Sequence, residues 1–331
     1  MQEHDEGIDV YDEGESTRTK IIEVQPKTIV TENKSPDVPF DYSINPYQGC
    51  EHGCVYCYAR NSHEYWGYNA GKDFERVIMV KKEAASLLEK EFRKKSYQPK
   101  LIVLSGNTDC YQPIERKLGI TRELLKVFQQ YRHPVGIITK NSLIQRDIDI
   151  LSDLAKINAA QVVVSLTSLR EETRRLMEPR TASVKQRLQT IEKLSAAGIP
   201  VRVNLAPIIP AINSDEVFDL VKAAADHGAL TANYILVRLN GAIGPIFEDW
   251  VQKVYPDRAD KVLNLIKETH GGALNESRFK TRMRGEGVYA EQVKSIFDIA
   301  CRKFLPKTER GEMDYSHFSV PGAGKQMGMF D

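Results

Sequence analysis

Three of the chain's cysteines fall within eight residues, in the segment Asn45-Pro46-Tyr47-Gln48-Gly49-Cys50-Glu51-His52-Gly53-Cys54-Val55-Tyr56-Cys57-Tyr58-Ala59-Arg60. The spacing of Cys50, Cys54 and Cys57 is Cys-x3-Cys-x2-Cys. Three thiolates on one loop can wrap a cubic iron–sulfur cluster and ligate three of its irons. Such a cluster keeps one iron without a protein thiolate, open to a small molecule, whereas electron-transfer clusters normally have four cysteines. Gly49 and Gly53 let the backbone turn tightly around the group. The competing chemistry is structural zinc, which closes a tetrahedral shell of four nitrogen or sulfur ligands, usually from two cysteine knuckles. Only one knuckle-like pair is present, with neither a second CxxC nor a His-x3-5-His. His52 is the available fourth donor, and its place inside the same loop would strain the shell.

These residues need a rigid frame. Short apolar runs begin at Leu101 (LIVLS), Val135 (VGIIT), Val162 (VVVSL), Val201 (VRVNLA) and Tyr234 (YILV), at spacings of 34, 27, 39 and 33 residues. Each is short, rich in β-branched residues and nearly continuous, as buried parallel strands are. Helical patterns fill the gaps. Ile144, Ile148, Leu151, Leu154 and Ile157 make one stripe, and Val184, Leu188, Ile191 and Leu194 make another, which Gly198 stops before Pro200 opens a strand. Further helices are predicted over 81–93, 121–131, 215–226, 258–269 and 290–304. Strands alternating with helices about every 30 residues mean βα units and a parallel sheet. Before the cysteines, 20–32 has β character, broken by Pro26, and Pro36 and Pro39 mark an irregular approach.

Composition narrows the class. The chain has 331 residues, 41% hydrophobic and 27% charged, close to ordinary globular usage. No apolar run approaches the roughly 18 residues of a membrane span, and the start lacks the basic and apolar regions of a secretory signal. A cytoplasmic location is expected, where clustered cysteines favour metal over disulfides. The net charge of +1 is an average. Residues 1–16 hold seven acids and no Lys or Arg, so they read as a solvated tail. The remainder carries 46 basic against 38 acidic residues, or +8, which permits a polyanionic partner.

The cysteine triplet followed by βα units resembles the radical S-adenosylmethionine (SAM) superfamily, over about 41–237. Within it, Cys54-Val55-Tyr56-Cys57-Tyr58, Thr108-Asp109, Thr139-Lys140, Val164-Ser165-Leu166, Glu178-Pro179-Arg180-Thr181 and Leu205-Ala206-Pro207 are similar to segments of the spore photoproduct lyase branch. The resemblance implies an α/β fold, a partial (β/α)6 barrel with N- and C-terminal extensions, divided as 1–40, 41–240 and 241–331. It implies a [4Fe-4S] cluster on Cys50, Cys54 and Cys57, with SAM chelating the open iron. An electron from the cluster then splits SAM into methionine and a 5′-deoxyadenosyl radical that abstracts a substrate hydrogen. It further implies a flavodoxin- or ferredoxin-like electron donor and a nucleic-acid substrate. The alternatives are a radical SAM enzyme acting on a small metabolite or peptide, and a metal-stabilised binding module without catalysis.

Polar residues at strand ends would line the mouth of such a barrel. Matched to the family, Lys140 and Thr108 would meet the SAM carboxylate, with Asp109 beside them. Ser165 and Thr167 would contact the ribose or methionine part, and the Ala206 and Tyr56 backbones would meet adenine. Tyr58 matches a tyrosine implicated in hydrogen-atom relay in the lyases; its other reading is packing against the cluster. The lyases also carry a hydrogen-donating cysteine just upstream of the segment matching Thr108-Asp109, and here that place is Gly106. Cys110 is then a displaced donor or a buried thiol, and Cys301 reads as core. The segment 109–116 either contacts substrate or braces the cysteine loop. Arg278, Lys280, Arg282 and Arg284 alternate as on one face of an extended edge strand, with Phe279 and Met283 on the other. The tail from Gly311 reads as flexible, with Tyr315, His317 and Phe318 able to dock.

Overall fold

The computed structural model describes residues 19–307 and 313–322; the acidic head of residues 1–16 lies outside them. Ten strands form two sheets, labelled in chain order: β1 Lys20–Glu23, β2 Val30–Glu32, β3 Tyr42–Ile44, β4 Tyr47–Gln48, β5 Val77–Val80, β6 Ile102–Leu104, β7 Val135–Thr139, β8 Ala160–Ser165, β9 Val201–Ile208 and β10 Thr231–Leu236. The larger sheet has the order β10-β9-β8-β7-β6-β3-β2. Strands β3, β6, β7, β8, β9 and β10 run parallel, and β2 closes the edge antiparallel to β3. The sixth strand of the partial (β/α)6 barrel is thus the short β3 directly before the cysteine loop. The smaller sheet, β1-β5-β4, flanks that loop.

The five apolar runs all become strands, because helices cover them. Val135, Ile137, Val162, Val164, Val201, Val203 and Leu205 pack with Leu124, Phe128, Leu151, Leu154, Ile191 and Leu220 in one core between sheet and helices. Side chains of the opposite parity point the other way. On β9 those are Arg202, Asn204 and Ala206, all half-buried on the inner face.

Local chemistry explains the helix boundaries. Val184–Ala196 starts with a capping box: the Ser183 hydroxyl accepts from the Gln186 amide and the Gln186 side chain accepts from the Ser183 amide. Gly198 ends the turn after it at φ +74°. The stripe over 144–157 is not one helix. Asn141 caps a 3-10 segment, Ser142–Asp147, before the α-helix Ile148–Lys156. The break turns Asp147 inward, where Arg122, Arg146 and the Tyr111 hydroxyl meet its carboxylate.

Two expectations for the C-terminal part change. Residues 278–284 coil rather than extend, because Arg282 N–H bonds the Arg278 carbonyl and Gly285 N–H bonds the Thr281 carbonyl. The cations therefore diverge. Arg278 pairs with Glu276 and Glu286, Arg282 with Asp37, and Arg284 reaches Asn233 and the Tyr234 carbonyl. Phe279 is exposed beneath the Arg282 guanidinium instead of packing inward. In the tail, Phe318 docks among Phe92, Tyr97, Tyr131 and His133, and the Ser319 amide donates to the Tyr131 carbonyl. Cys301 sits half-buried at the edge of the main core.

Candidate functional site

The loop from β4 through Cys57 crosses the ends of the parallel strands and is held at every turn by main-chain contacts. Cys50 N–H donates to the Phe74 carbonyl at 2.8 Å, Val55 N–H to Met177 at 3.1 Å, and Cys57 N–H to Cys54 at 3.4 Å. Gln112 bridges it, donating to the Gly49 carbonyl at 3.1 Å and accepting from the Glu51 amide at 2.9 Å. Segment 109–116 therefore braces the loop. Arg60, almost wholly buried, donates from Nε to the Cys54 carbonyl at 2.9 Å and pairs with Glu75, which also pairs with Arg180. Arg180 lies over Gly53 and bonds the Glu51 carbonyl.

Both glycines of the motif are required. Gly49 has φ +80° and Gly53 φ +68°, in the left-handed region. A Cβ on Gly49 would stand 2.6 Å from the Val77 carbonyl oxygen. Gly49→Ala is accordingly expected to cost about 1–3 kcal/mol from backbone strain, with the clash in addition, read as a lowered urea midpoint.

Cys50 and Cys54 are buried, Cys57 is half-buried, and none of the three is in a disulfide. Burial pushes Cys50 up and, helped by Glu178, lifts Cys54 to about 12. Thiols in this setting become thiolates when a metal neutralises them. Among the described residues no three His, Cys, Asp or Glu side chains converge as the shell of one metal ion. A cubic cluster does not ask for that, since each cysteine takes a different iron. The donors fit such a group. His52, the remaining candidate donor, is buried with Nδ1 3.5 Å from Asp109 and Nε2 3.3 Å from Asn141. Its burial outweighs the Asp109 charge and lowers its pKa to about 4, so the ring is neutral.

Behind the loop lies an ionic cluster that the sequence did not single out. Glu178 and Arg187, both fully buried, form an ion pair. The Tyr56 hydroxyl donates to Glu178, and the Lys140 ammonium stands 5.9 Å from the centre of the Tyr56 ring. Arg187 also donates to the Ser165 carbonyl at 3.0 Å and lies 3.5 Å from the Thr167 hydroxyl. Burial alone would raise the Glu178 carboxyl, but Arg187 and Lys140 outweigh it and hold it below its ordinary range. Burial likewise opposes the Lys140 charge, but Glu178 and Cys54 keep the ammonium above its usual pKa. Tyr56, Lys140, Ser165 and Thr167 are thus brought together around Glu178, whose sequence signal was the Glu178-Pro179-Arg180-Thr181 segment, and Arg187, which sequence reasoning missed.

The other expected site residues are each held by bonds of their own. Asp109 knots two strand ends, accepting from the Thr139 hydroxyl at 2.9 Å and the Lys140 amide at 2.8 Å. The Thr108 hydroxyl donates to the Tyr47 carbonyl at 2.6 Å, so this donor braces the loop. Ala206 is half-buried on the inner face of β9. Cys110 is fully buried in the main core, its amide donating to the Ser105 hydroxyl and its carbonyl accepting from Thr121. That is the position of a buried thiol. Tyr58 is 55% exposed and donates from its hydroxyl to the Gly106 carbonyl at 2.6 Å. Its ring edge is thus open to solvent, while burial of the hydroxyl and the nearby Cys57 raise its pKa.

The profile of the radical SAM superfamily matches residues 44–224. The chain belongs to the radical SAM superfamily. It is a radical SAM enzyme, working with a [4Fe-4S] cluster and SAM. Among similar sequences, an uncharacterized protein of Mycobacterium tuberculosis is 32% identical over 240 residues, 71% of each chain. An uncharacterized protein of Methanocaldococcus jannaschii is 26% identical over 249 residues, 75% of this chain and 89% of that one. Among solved structures, spore photoproduct lyase complexed with dinucleoside spore photoproduct is similar in fold, with a TM-score of 0.61 at 17% identity, covering 86% of this chain and 80% of that one. In this radical SAM enzyme, no helix among the described residues is long and apolar enough to cross a membrane.

Proposed function

We propose that this radical SAM enzyme abstracts hydrogen from a nucleic-acid substrate, in lyase-like repair chemistry that returns hydrogen without a cysteine. In this reading Cys50, Cys54 and Cys57 hold the cluster and Lys140 pairs with the SAM carboxylate. Ser165 and Thr167 lie toward the ribose, and the Tyr56 and Ala206 backbones toward adenine. When bound, the cluster supplies the electron that splits SAM to methionine and the 5′-deoxyadenosyl radical. The chain's own residues position and shield: the Arg60–Glu75–Arg180 network holds the loop, and the buried Glu178–Arg187 pair sets Tyr56 and Lys140.

The observation that carries this reading is Tyr58, whose ring is partly exposed and whose hydroxyl bonds the Gly106 carbonyl. The family's relay tyrosine is present, while the place of its donor cysteine holds a glycine. A Cβ on Gly106 would lie 2.8 Å from the Ser43 Cβ, so no side chain fits there without movement. The fold likeness to spore photoproduct lyase supports the substrate class only by analogy, because fold does not set substrate.

The test is anaerobic reconstitution with iron and sulfide, reduction with a flavodoxin- or ferredoxin-like donor, and assay of 5′-deoxyadenosine with and without DNA or RNA. Stimulation by nucleic acid is expected. Product formation indifferent to both would move the substrate to a small metabolite or peptide. Tyr58→Phe should keep SAM cleavage and alter the substrate products; unchanged products would remove Tyr58 from the hydrogen path.

A further inference from the structure

Two residues beyond β10 stands a cation with no carboxylate bonded to it among the described residues. Arg238 is half-buried, and its polar partner among the described contacts is the Met283 sulfur, 3.5 Å from Nη1, while its Nε is buried without one. A thioether is a weak acceptor, and a half-buried charge without a directly bonded counter-charge is costly until an anion completes it. The carboxylate on hand, Asp37, is already taken by Arg282 Nε at 2.5 Å and the Lys280 amide at 2.8 Å. Burial and the Arg282 charge together pull the Arg238 guanidinium below its ordinary pKa, against the opposing influence of Asp37 and Tyr58. Beside it, His270 is 3% exposed, with Nε2 bonded to the Val237 carbonyl and Nδ1 buried without a partner.

A second observation is aromatic. The 3-10 helix Tyr58–Trp66, which follows Cys57 directly, leaves Tyr58, Tyr65 and Trp66 exposed, the last two by 89% and 45%. Asn61 of the same helix donates to the Asn240 carbonyl at 2.9 Å and accepts from the Ala242 amide at 3.0 Å. Gly241 between them has φ +59°, and a Cβ there would lie 2.9 Å from the Asn61 side chain. The aromatic helix and the chain just past Arg238 are therefore locked together at a fixed spacing. A cation set beside exposed aromatic rings is how proteins hold single strands, with phosphates on the charge and bases on the rings.

We propose that Arg238 anchors a backbone phosphate of a single-stranded nucleic acid whose bases stack on the Tyr58–Trp66 helix. This deepens the nucleic-acid reading above and rests on it. The test uses the cluster-loaded enzyme and a labelled single-stranded DNA oligonucleotide, followed by fluorescence anisotropy at several salt concentrations. Arg238→Ala should weaken binding about tenfold or more and lower the salt slope by about one. Arg238→Lys should recover part of the affinity, and it answers the question alone if the alanine variant fails to load its cluster. Trp66→Ala should weaken binding with the salt slope unchanged. Arg302→Ala, exposed on the last helix, controls for loss of charge. Wild-type affinity and slope in both Arg238 variants would overturn the anchor, and nucleic-acid stimulation of 5′-deoxyadenosine would still stand. A wild-type enzyme that binds no oligonucleotide would overturn the anchor and the nucleic-acid reading together. Equal, Arg238-dependent affinity for a nucleoside 5′-monophosphate would overturn the strand in favour of a free nucleotide.

Discussion

Cys54→Ala is expected to leave the reconstituted protein without its iron–sulfur cluster and without SAM cleavage. Two thiols on a loop of this length cannot hold a cubic cluster that already spends one iron on SAM. Cys54 is buried, with its carbonyl fixed by Arg60 and the next residue's amide bound to Met177, so no neighbouring donor swings into its place. The measurements are iron and sulfide content, the brown absorbance of the cluster, and 5′-deoxyadenosine formed after reduction. A fully loaded, brown Cys54→Ala protein would refute the ligand assignment. Circular dichroism should show the barrel intact, because the main core lies between sheet and helices and does not include Cys54.

The largest effect on stability is expected from Arg187→Met. Arg187 and Glu178 are both fully buried, and removing one member of such a pair strands the other charge, at a cost of about 3–5 kcal/mol. The Ser165 and Ala182 carbonyls lose their donor as well. The double variant Arg187→Met/Glu178→Gln should recover part of the loss, since both charges of the pair are then gone while Lys140 gives up its Glu178 counter-charge. Equal urea midpoints for the single and double variants would show that packing, not charge, sets the cost. The acid side of the profile carries the same information. Glu178 is held below its ordinary value of 4.5, so its contribution is complete above that value and is lost as pH falls through the depressed one. In Arg187→Met the main depressing charge is gone, so acid sensitivity should begin at higher pH.

The barrel was largely legible in the chain because its signals are local. Continuous β-branched runs at regular spacing predict buried parallel strands, and LIVLS, VGIIT, VVVSL, VRVNLA and YILV all became them. The sheet order follows because consecutive strands lie side by side, β6-β7-β8-β9-β10. Two stretches misled for a physical reason. The 144–157 stripe is helical in period, but Asp147 is drawn inward to Arg122 and Arg146 and splits it. The alternating cations of 278–284 are just as compatible with a coil whose side chains each meet a different partner. Periodicity cannot see partners that lie far away in the sequence.

The sequence by itself determined the chemistry. Three cysteines at this spacing and two glycines that let the loop turn point to an iron–sulfur cluster, because those signals lie within a few residues of one another, and the resemblance carried by them and the following βα units implies SAM. Only the tertiary structure decided which polar residues face the site. It turned Thr108 and Asp109 into braces, sealed Cys110 in the core and left Tyr58 open at Gly106. It also assembled Glu178, Arg187, Tyr56 and Lys140 from four separate segments. Burial and charge neutralisation are properties of long-range contacts, so the roles of these side chains could not be read before the chain was folded.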